Sequence, residues 1–373
     1  MSGGAVHLIP LMAGFECTSH RRSDGVRVDI LADTLHTELA VSDYRLMQQH
    51  GFKTAREGLR WHVIEKGRGQ RDWSSAYALI DAANETSTEI IWDLLHFGFP
   101  DWVNPYHPDF PQIFADFAAD FVSRIPRGGL YVPVNEISFL AWAAGDVEYM
   151  YPYSRGRGRD LKFALCAASI AAVRSIRNID PHALIIAVDP MIAVHSGSSP
   201  ENRQAAENHH EAQFEAIDML LGRRCPELGG HPGMIDILGL NHYPQSQWTV
   251  EQGSVDWKSE QWVNPSILMQ KIYARYGKPL LLAETGCEGN DRPYWFDHII
   301  SECLHTLSAG VPILGICLYP IFSHNAWTGE RHCPNGLFDG TSQNREVYQP
   351  LLNAVCRYQS SNKLEVSTID SSA

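Results

Sequence analysis

The chain has 373 residues, 44% hydrophobic and 20% charged, with a net charge of −13. This is a soluble globular composition, long enough for one large α/β domain or two medium ones. The negative charge argues against nucleic acid or an anionic membrane surface as the main partner. No stretch supplies the ~20 apolar residues of a membrane span. The start lacks a basic segment leading into a long apolar run, so it reads as unprocessed and cytoplasmic. The eight cysteines, at 17, 166, 225, 287, 303, 317, 333 and 356, form no CxxC pair. Reduced thiols are expected rather than a disulfide framework or a zinc site.

Strand-like and helix-like segments alternate from end to end. Residues 11–17 read as a strand, and 43–50 as a helix stopped by Gly51. A second strand begins at Phe52, a helix covers 75–83, and a third strand, apolar enough to be buried on both faces, covers 89–97. Residues 111–124 form a helix whose Phe114, Phe117 and Phe121 share one stripe, and 129–135 is strand four. A helix at 160–177, a strand at 183–189 and a long helix at 201–221 follow. Strand six is 236–241. Asn264 and Pro265 open a helix that Gly277 ends, and strand seven is 280–284. Asp291 opens the next helix, strand eight is 313–318, and a helix at 346–357 closes the chain. Eight strand–helix pairs in order predict a closed parallel (β/α)₈ TIM barrel over residues 1–360, with a polar tail at 361–373. A doubly wound sheet is disfavoured because no Gly-rich phosphate loop follows the first strand.

In such barrels the chemistry sits at the C-terminal strand ends. Here those ends offer Glu16, Arg56, Asp93, His96, Asn135, Glu136, Asp189, Asn241, Tyr243, Glu284 and Tyr319. Carboxylates, amides and aromatics around one cleft are what sugar recognition needs, because hydroxyls take hydrogen bonds and C–H faces take flat rings. Two glutamates stand out. Val132-Pro133-Val134-Asn135-Glu136 and Leu280-Leu281-Leu282-Ala283-Glu284 each end an apolar strand with a carboxylate, on strands that face each other across a barrel. Hydrolysis of a glycosidic bond with retention uses such a pair, one as nucleophile and one as general acid/base. Asn135 would place an amide near the sugar 2-hydroxyl. A single strand-end glutamate is more often a salt-bridged structural residue; the pair with its neighbours is more specific.

The wording of these strand ends resembles glycoside hydrolase family 1, the β-glucosidase type, among the retaining hydrolases with catalytic glutamates after strands four and seven. The family's Arg five residues before a Trp corresponds to Arg56 and Trp61. Its His-Trp-Asp-Leu-Pro corresponds to His96-Phe97-Gly98-Phe99-Pro100, and its Asn-Glu-Pro to Asn135-Glu136-Ile137. Its Asn-Tyr-Tyr corresponds to Asn241-His242-Tyr243, and its Glu-Asn-Gly to Glu284-Thr285-Gly286. Asn325-Ala326-Trp327 and Asn335-Gly336-Leu337-Phe338-Asp339 resemble its closing segment. The resemblance implies that Glu284 is the nucleophile and Glu136 the acid/base. It implies that Arg56 and Tyr243 hold Glu284, that His96, Asn135 and Asn241 line the sugar site, and that Trp327 is the sugar platform. No cofactor or metal is implied, and the partner is a carbohydrate or glycoside.

Three departures rewrite the far side of the sugar. Ala326 stands where the family has a glutamate, Ile137 replaces the proline, and Glu16 or His20 stands near the place of the glutamine after strand one. Outer hydroxyls would then be gripped by other residues, such as Glu16 or His324. The competing readings are a non-catalytic carbohydrate-binding barrel, a transglycosylase sharing the covalent intermediate, and a metal-dependent barrel hydrolase. The last would want His-x-His after strand one, where the chain has Phe15-Glu16-Cys17-Thr18-Ser19-His20. His209-His210-Glu211 reads as a solvated helix face. The loop Arg155–Arg159 reads equally as a solvated loop or as an anion contact, with Tyr149, Tyr151 and Tyr153 packing it down or walling a site.

Overall fold

The computed structural model describes residues 9–196, 199–341 and 343–369. The N-terminal start and the end of the expected tail therefore lie outside the described residues. Eight parallel strands close into a barrel: β1 (Leu11–Gly14), β2 (Thr54–Gly58), β3 (Glu89–Asp93), β4 (Leu130–Val132), β5 (Leu184–Pro190), β6 (Ile237–Asn241), β7 (Leu280–Thr285) and β8 (Ile313–Leu318). Closure is made by β1, whose Met12 pairs with Thr54 of β2 on one side and Cys317 of β8 on the other. The helices surround this ring, as the alternation predicts.

Inside the ring a small core of Ile91, Val132, Ile186, Val188, Ile237, Leu281 and Ala283 fills the barrel floor. A far larger core lies between strands and helices. The helix Phe110–Val122 shows why its sequence folds there: Phe110, Phe114, Phe117 and Phe121 are buried on one stripe, and Phe117 stacks between Trp61 (5.0 Å) and Trp73 (5.4 Å). Each ring removed from water is worth roughly 1.5–3 kcal/mol.

The structure departs from the sequence expectations where side chains intervene. The helix expected at 201–221 is two, Pro200–Ala212 and Glu215–Leu220. Gln213 turns inward between them, accepting from the Ile192 amide (3.1 Å) and donating to the His210 carbonyl (2.6 Å). Strand β4 stops at Val132 because Pro133 has no N–H for the ladder. Asn264 and Asp291 stand at helix N-caps without capping, and Asp291 takes Lys258 Nζ at 2.8 Å instead. The first long helix starts at His36 rather than Asp43, and the last at Gln349 rather than Glu346, whose carbonyl accepts from the Asp339 amide. Among the described residues, three small sheets lie beyond the barrel that the sequence analysis does not predict, one of them including the hairpin of Phe322–Asn325 with His332–Cys333. All eight cysteines are free thiols. No helix among the described residues is long and apolar enough to cross a membrane.

Behind β2 lies a buried ionic cluster. Glu57 points outward, opposite to Arg56, toward the helix His36–Gln49. There His36 places Nδ1 2.8 Å from Asp43 and Nε2 2.7 Å from Glu57, and Arg345 donates twice to Asp43 at 2.9 Å. Burial alone would lower the imidazole pKa, but Glu57 and Asp43 outweigh it and raise it from 6.5 to about 9. A raised folded-state pKa stabilises fully below 6.5 and ceases to as pH rises through about 9. Melting temperature should therefore fall between pH 7 and 9.5, with up to roughly 3 kcal/mol lost through this group. The fall should shrink in His36→Gln; an equal fall in that variant would show that His36 is not its source.

Candidate active site

A register shift aims the first carboxylate. Along β7, Leu281 and Ala283 face the barrel interior, so strict alternation would turn Glu284 outward. The pairing with β6 runs Leu282 with Leu240 and then Glu284 with Asn241, leaving Ala283 as an extra residue. This bulge turns Glu284 into the cleft and frees the Ala283 carbonyl, which accepts from Arg56 Nη1 at 2.9 Å. The second carboxylate is aimed by an unusual backbone: Glu136 sits at φ 46°, ψ 60°, in the left-handed region. Such strain in a non-glycine residue clusters at working sites. Its amide is tied to the Val188 carbonyl at 3.0 Å.

Arg56, with no exposed surface, organises the floor. Its five N–H groups all find acceptors: Asp93 Oδ1 (3.1 Å) and Oδ2 (2.7 Å), the Ala283 carbonyl (2.9 Å), Glu284 Oε1 (2.7 Å) and Asn135 Oδ1 (2.7 Å). The Tyr243 hydroxyl donates to the other oxygen of Glu284 at 2.7 Å. Both carboxylate oxygens are thus held in a fixed orientation. With its oxygen facing Arg56, the Asn135 amide nitrogen faces His96 Nε2 at 3.1 Å, which leaves His96 Nδ1 to donate to Asp93 at 3.0 Å. Both nitrogens of His96 have protein partners, so a sugar hydroxyl at Asn135 shares that amide with His96. Removing Arg56 would leave Asp93 and Glu284 buried without a counter-charge. Arg56→Met is expected to cost roughly 3–5 kcal/mol in urea denaturation; a loss under ~1 kcal/mol would contradict this balance.

Glu136 is half-buried, and Asn241 Nδ2 donates to its Oε1 at 2.8 Å. Asn241, expected to line the sugar site, orients Glu136 through this bond, and its Oδ1 has no protein partner. Burial raises the Glu136 pKa well above the usual carboxylate range, the Glu284 charge and then Asp189 add to this, and the Asn241 bond opposes it. Asp189 itself is buried beneath this turn and accepts from the Ser138 amide (3.0 Å) and hydroxyl (2.6 Å). It pins the residues that follow Glu136. The sequence marked Asp93 and Asp189 as strand ends without giving them a part.

At the mouth, Glu16 is half-buried and accepts from the Thr18 amide at 2.9 Å. Its charge adds to the raised pKa of Tyr243 and Tyr319, after burial and nearer groups. His20 is 1% exposed, its Nε2 has no protein partner, and its ring lies edge-on to half-buried Trp327 at 5.1 Å. Burial, then Arg27 and Arg22, lower its pKa to about 4, so the ring is neutral at pH 7. His324 is not free in the same way: Nδ1 meets the Asn325 carbonyl (2.7 Å) and Nε2 the Asn335 amide (3.2 Å). Ala326 lies in the hairpin turn, its amide on the Arg331 carbonyl at 2.8 Å.

Cys17, Asp93 and His96 bring possible metal-ligand atoms within 4.8 Å of one another. Arg56 already holds both Asp93 oxygens, so the guanidinium stands where a cation would. Burial raises the Cys17 thiol pKa well above its ordinary value. In the loop after β4, Arg155 pairs with Glu148 (2.7 Å), and Arg157 pairs with Asp160 (3.1 Å) and lies 3.9 Å over the Tyr106 ring. Tyr151 and Tyr153 pack that loop down through the Val103 and Arg22 carbonyls, while Tyr149 stays 43% exposed. Glu211 pairs with Arg275 at 3.3 Å on the outer helices.

No family model and no curated protein matches the sequence. Solved structures do. The β-glucosidase from Thermotoga maritima in complex with glucoimidazole superposes with a TM-score of 0.77 at 14% identity, over 95% of this chain and 98% of that one. The β-glucosidase from Trichoderma harzianum gives 0.76 at 14%, over 97% and 99%. The AHE enzyme from Alicyclobacillus herbarius gives 0.72 at 17%, over 88% of each chain. The barrel therefore has the fold of the family 1 β-glucosidases across nearly its whole length, in a widely diverged sequence.

Proposed function

We propose that the protein is a retaining β-glycoside hydrolase. The supporting observation is the contrast between two glutamates in one cleft. Glu284 has both oxygens held by Arg56 and Tyr243, whereas Glu136 sits where burial and the neighbouring charge favour its protonated form. Environments that separate two carboxyl groups in this way assign nucleophile and acid. In the first step a Glu284 oxygen bonds to the anomeric carbon as the bond to the aglycone oxygen breaks, and Glu136 gives that oxygen its proton. In the second step Glu136 takes a proton from water, the water oxygen bonds to the anomeric carbon, and Glu284 leaves. Asn135 is the group for the 2-hydroxyl and Trp327 the platform, with Glu16 and His20 the candidates for the far side of the sugar. Eight free thiols suit a reducing compartment, and the cytoplasm is the proposed one.

The test is a panel of 4-nitrophenyl β-glycosides. At least one is expected to be turned over, and chelators should leave the rate unchanged. Because Ala326 supplies no carboxylate to outer hydroxyls, the glucoside should have a kcat/KM well below the best sugar. Turnover of none would sink the reading in favour of a binding barrel. Loss of activity with chelator would favour metal-dependent hydrolysis. A glucoside equal to the best sugar would overturn the Ala326 argument alone.

A further inference from the structure

Strand β6 ends at Asn241, and the side chains that hold the two glutamates straddle that end. Asn241 donates to Glu136 at 2.8 Å, and Tyr243 donates to Glu284 at 2.7 Å. Alternation turns His242, between them, away from the cleft. It is fully buried, with Trp295 stacked at 6.0 Å and the Trp262 ring at 5.6 Å. Here the barrel ladder runs out. The Met191 amide still donates to the Asn241 carbonyl at 2.9 Å, and the His242 amide to the Glu284 carbonyl at 2.9 Å. On the β5 side the next rung is made by a side chain: His242 Nδ1 lies 2.7 Å from the Met191 carbonyl.

A carbonyl only accepts, so Nδ1 carries the proton of this ring. Burial lowers the His242 pKa to about 4, the Met191 bond opposes this and His298 adds to it, so the ring is neutral at pH 7. Nε2 then offers a lone pair, and no protein group meets it; Trp262 Nε1 and His298 Nε2 are likewise buried without a protein partner. A carbon ring of the same shape would keep the stacking on Trp295 and leave no buried acceptor. What the imidazole adds is an N–H close to the main chain, between Asn241 and Tyr243.

We propose that His242 is a positioning residue for both carboxylates: its bond to Met191 holds the end of β6 so that Asn241 meets Glu136 and Tyr243 meets Glu284. What the two carboxylates do rests on the glycosidase reading; how they are held does not, and the experiment keeps the two apart. Two substitutions set the bond against the packing. His242→Phe keeps a ring and loses the N–H, while His242→Asn loses the ring and keeps an N–H at nearly the same place. The first arm needs no substrate. Carbon NMR of the intact protein, labelled at its glutamate carboxyls, follows the titration of Glu136, whose signal is assigned by its loss in Glu136→Gln. Glu136 faces Glu284 on β7, Asp189 on β5, Arg56 on β2 and Tyr243 after β6, and neither variant changes those groups. The Asn241 bond favours the ionised form, so weakening it in His242→Phe should raise the midpoint by roughly 0.5–1 in pH. In His242→Asn the midpoint should stay at the wild-type value. The second arm is kinetics on the best glycoside of the panel. His242→Phe should lower kcat by roughly 10–100-fold with little change in KM, the scale of a small misplacement of reacting groups. His242→Asn should recover most of this although it melts at the lower temperature. If His242 only fills space, the asparagine variant is the worse in both arms, and that order overturns the proposal, as does an unmoved Glu136 midpoint in His242→Phe. His242→Leu takes the place of the phenylalanine variant should that one not fold. A midpoint that moves in a protein that turns over no glycoside would uphold the positioning role and overturn the glycosidase reading.

Discussion

Glu284→Gly should abolish turnover of every glycoside, by on the order of 10⁵-fold, the scale on which loss of a nucleophile is felt. Each contact of Glu284 is matched to its charge: Arg56 at 2.7 Å on one oxygen and Tyr243 at 2.7 Å on the other. Removing the carboxylate leaves Arg56 its ion pair with Asp93, also 2.7 Å, so the fold should survive and the cleft should open by the volume of the side chain. Azide fits such a space beside a guanidinium. It can attack the anomeric carbon from the face Glu284 used, while Glu136 still protonates the leaving oxygen. One displacement occurs rather than two, so the product is the α-glycosyl azide. Circular dichroism checks the fold, and NMR coupling at the anomeric proton checks the product. Turnover at the wild-type rate, or a β-azide, would show that Glu284 is not the nucleophile.

Glu136→Ala should behave differently, because general acid help matters only in proportion to what the leaving group lacks. Poor leaving groups should slow by roughly 10²–10⁴-fold. Aryl leaving groups that need no proton should keep a fast first step. Water then lacks its base, the covalent intermediate accumulates, and the kinetics show a burst with a low apparent KM. Azide needs no base and should restore breakdown, now as the second of two displacements, giving a β-azide. The raised pKa of Glu136 also fixes the sign of the pH dependence. Activity toward poor leaving groups should fall as pH rises through that pKa, and the alkaline limb should vanish in Glu136→Ala with an activated substrate. Equal loss on good and poor leaving groups would remove Glu136 from the acid role.

The order of strands and the identities at their ends were legible because each depends on local pattern: apolar runs, caps and a polar residue closing each run. What could not be read was how the cleft is assembled. Alternation along β7 would send Glu284 to the helices; the extra residue at Ala283 that turns it inward shows only in the pairing with β6. That the Asn241 amide orients Glu136, at 2.8 Å and 105 residues away in sequence, leaves no local signal in either segment. His324 looked open and is closed by Asn335, while His20 keeps an unpartnered nitrogen. The 201–221 helix failed for a similar reason: its periodicity is helical, but the Gln213 side chain finds better partners inside the fold. Long-range partners decide these cases, and no window of sequence contains them.

The most direct measurement is the anomeric configuration of the first product released by the intact enzyme. Proton NMR of the best substrate from the glycoside panel, followed from the first seconds, should show the β-hemiacetal first, with the α-form growing only by mutarotation. That is the result of two displacements through Glu284 with Glu136 as acid and then base. An α-product at the earliest times would mean a single displacement by water, and would contradict the account of Glu284 as the attacking group.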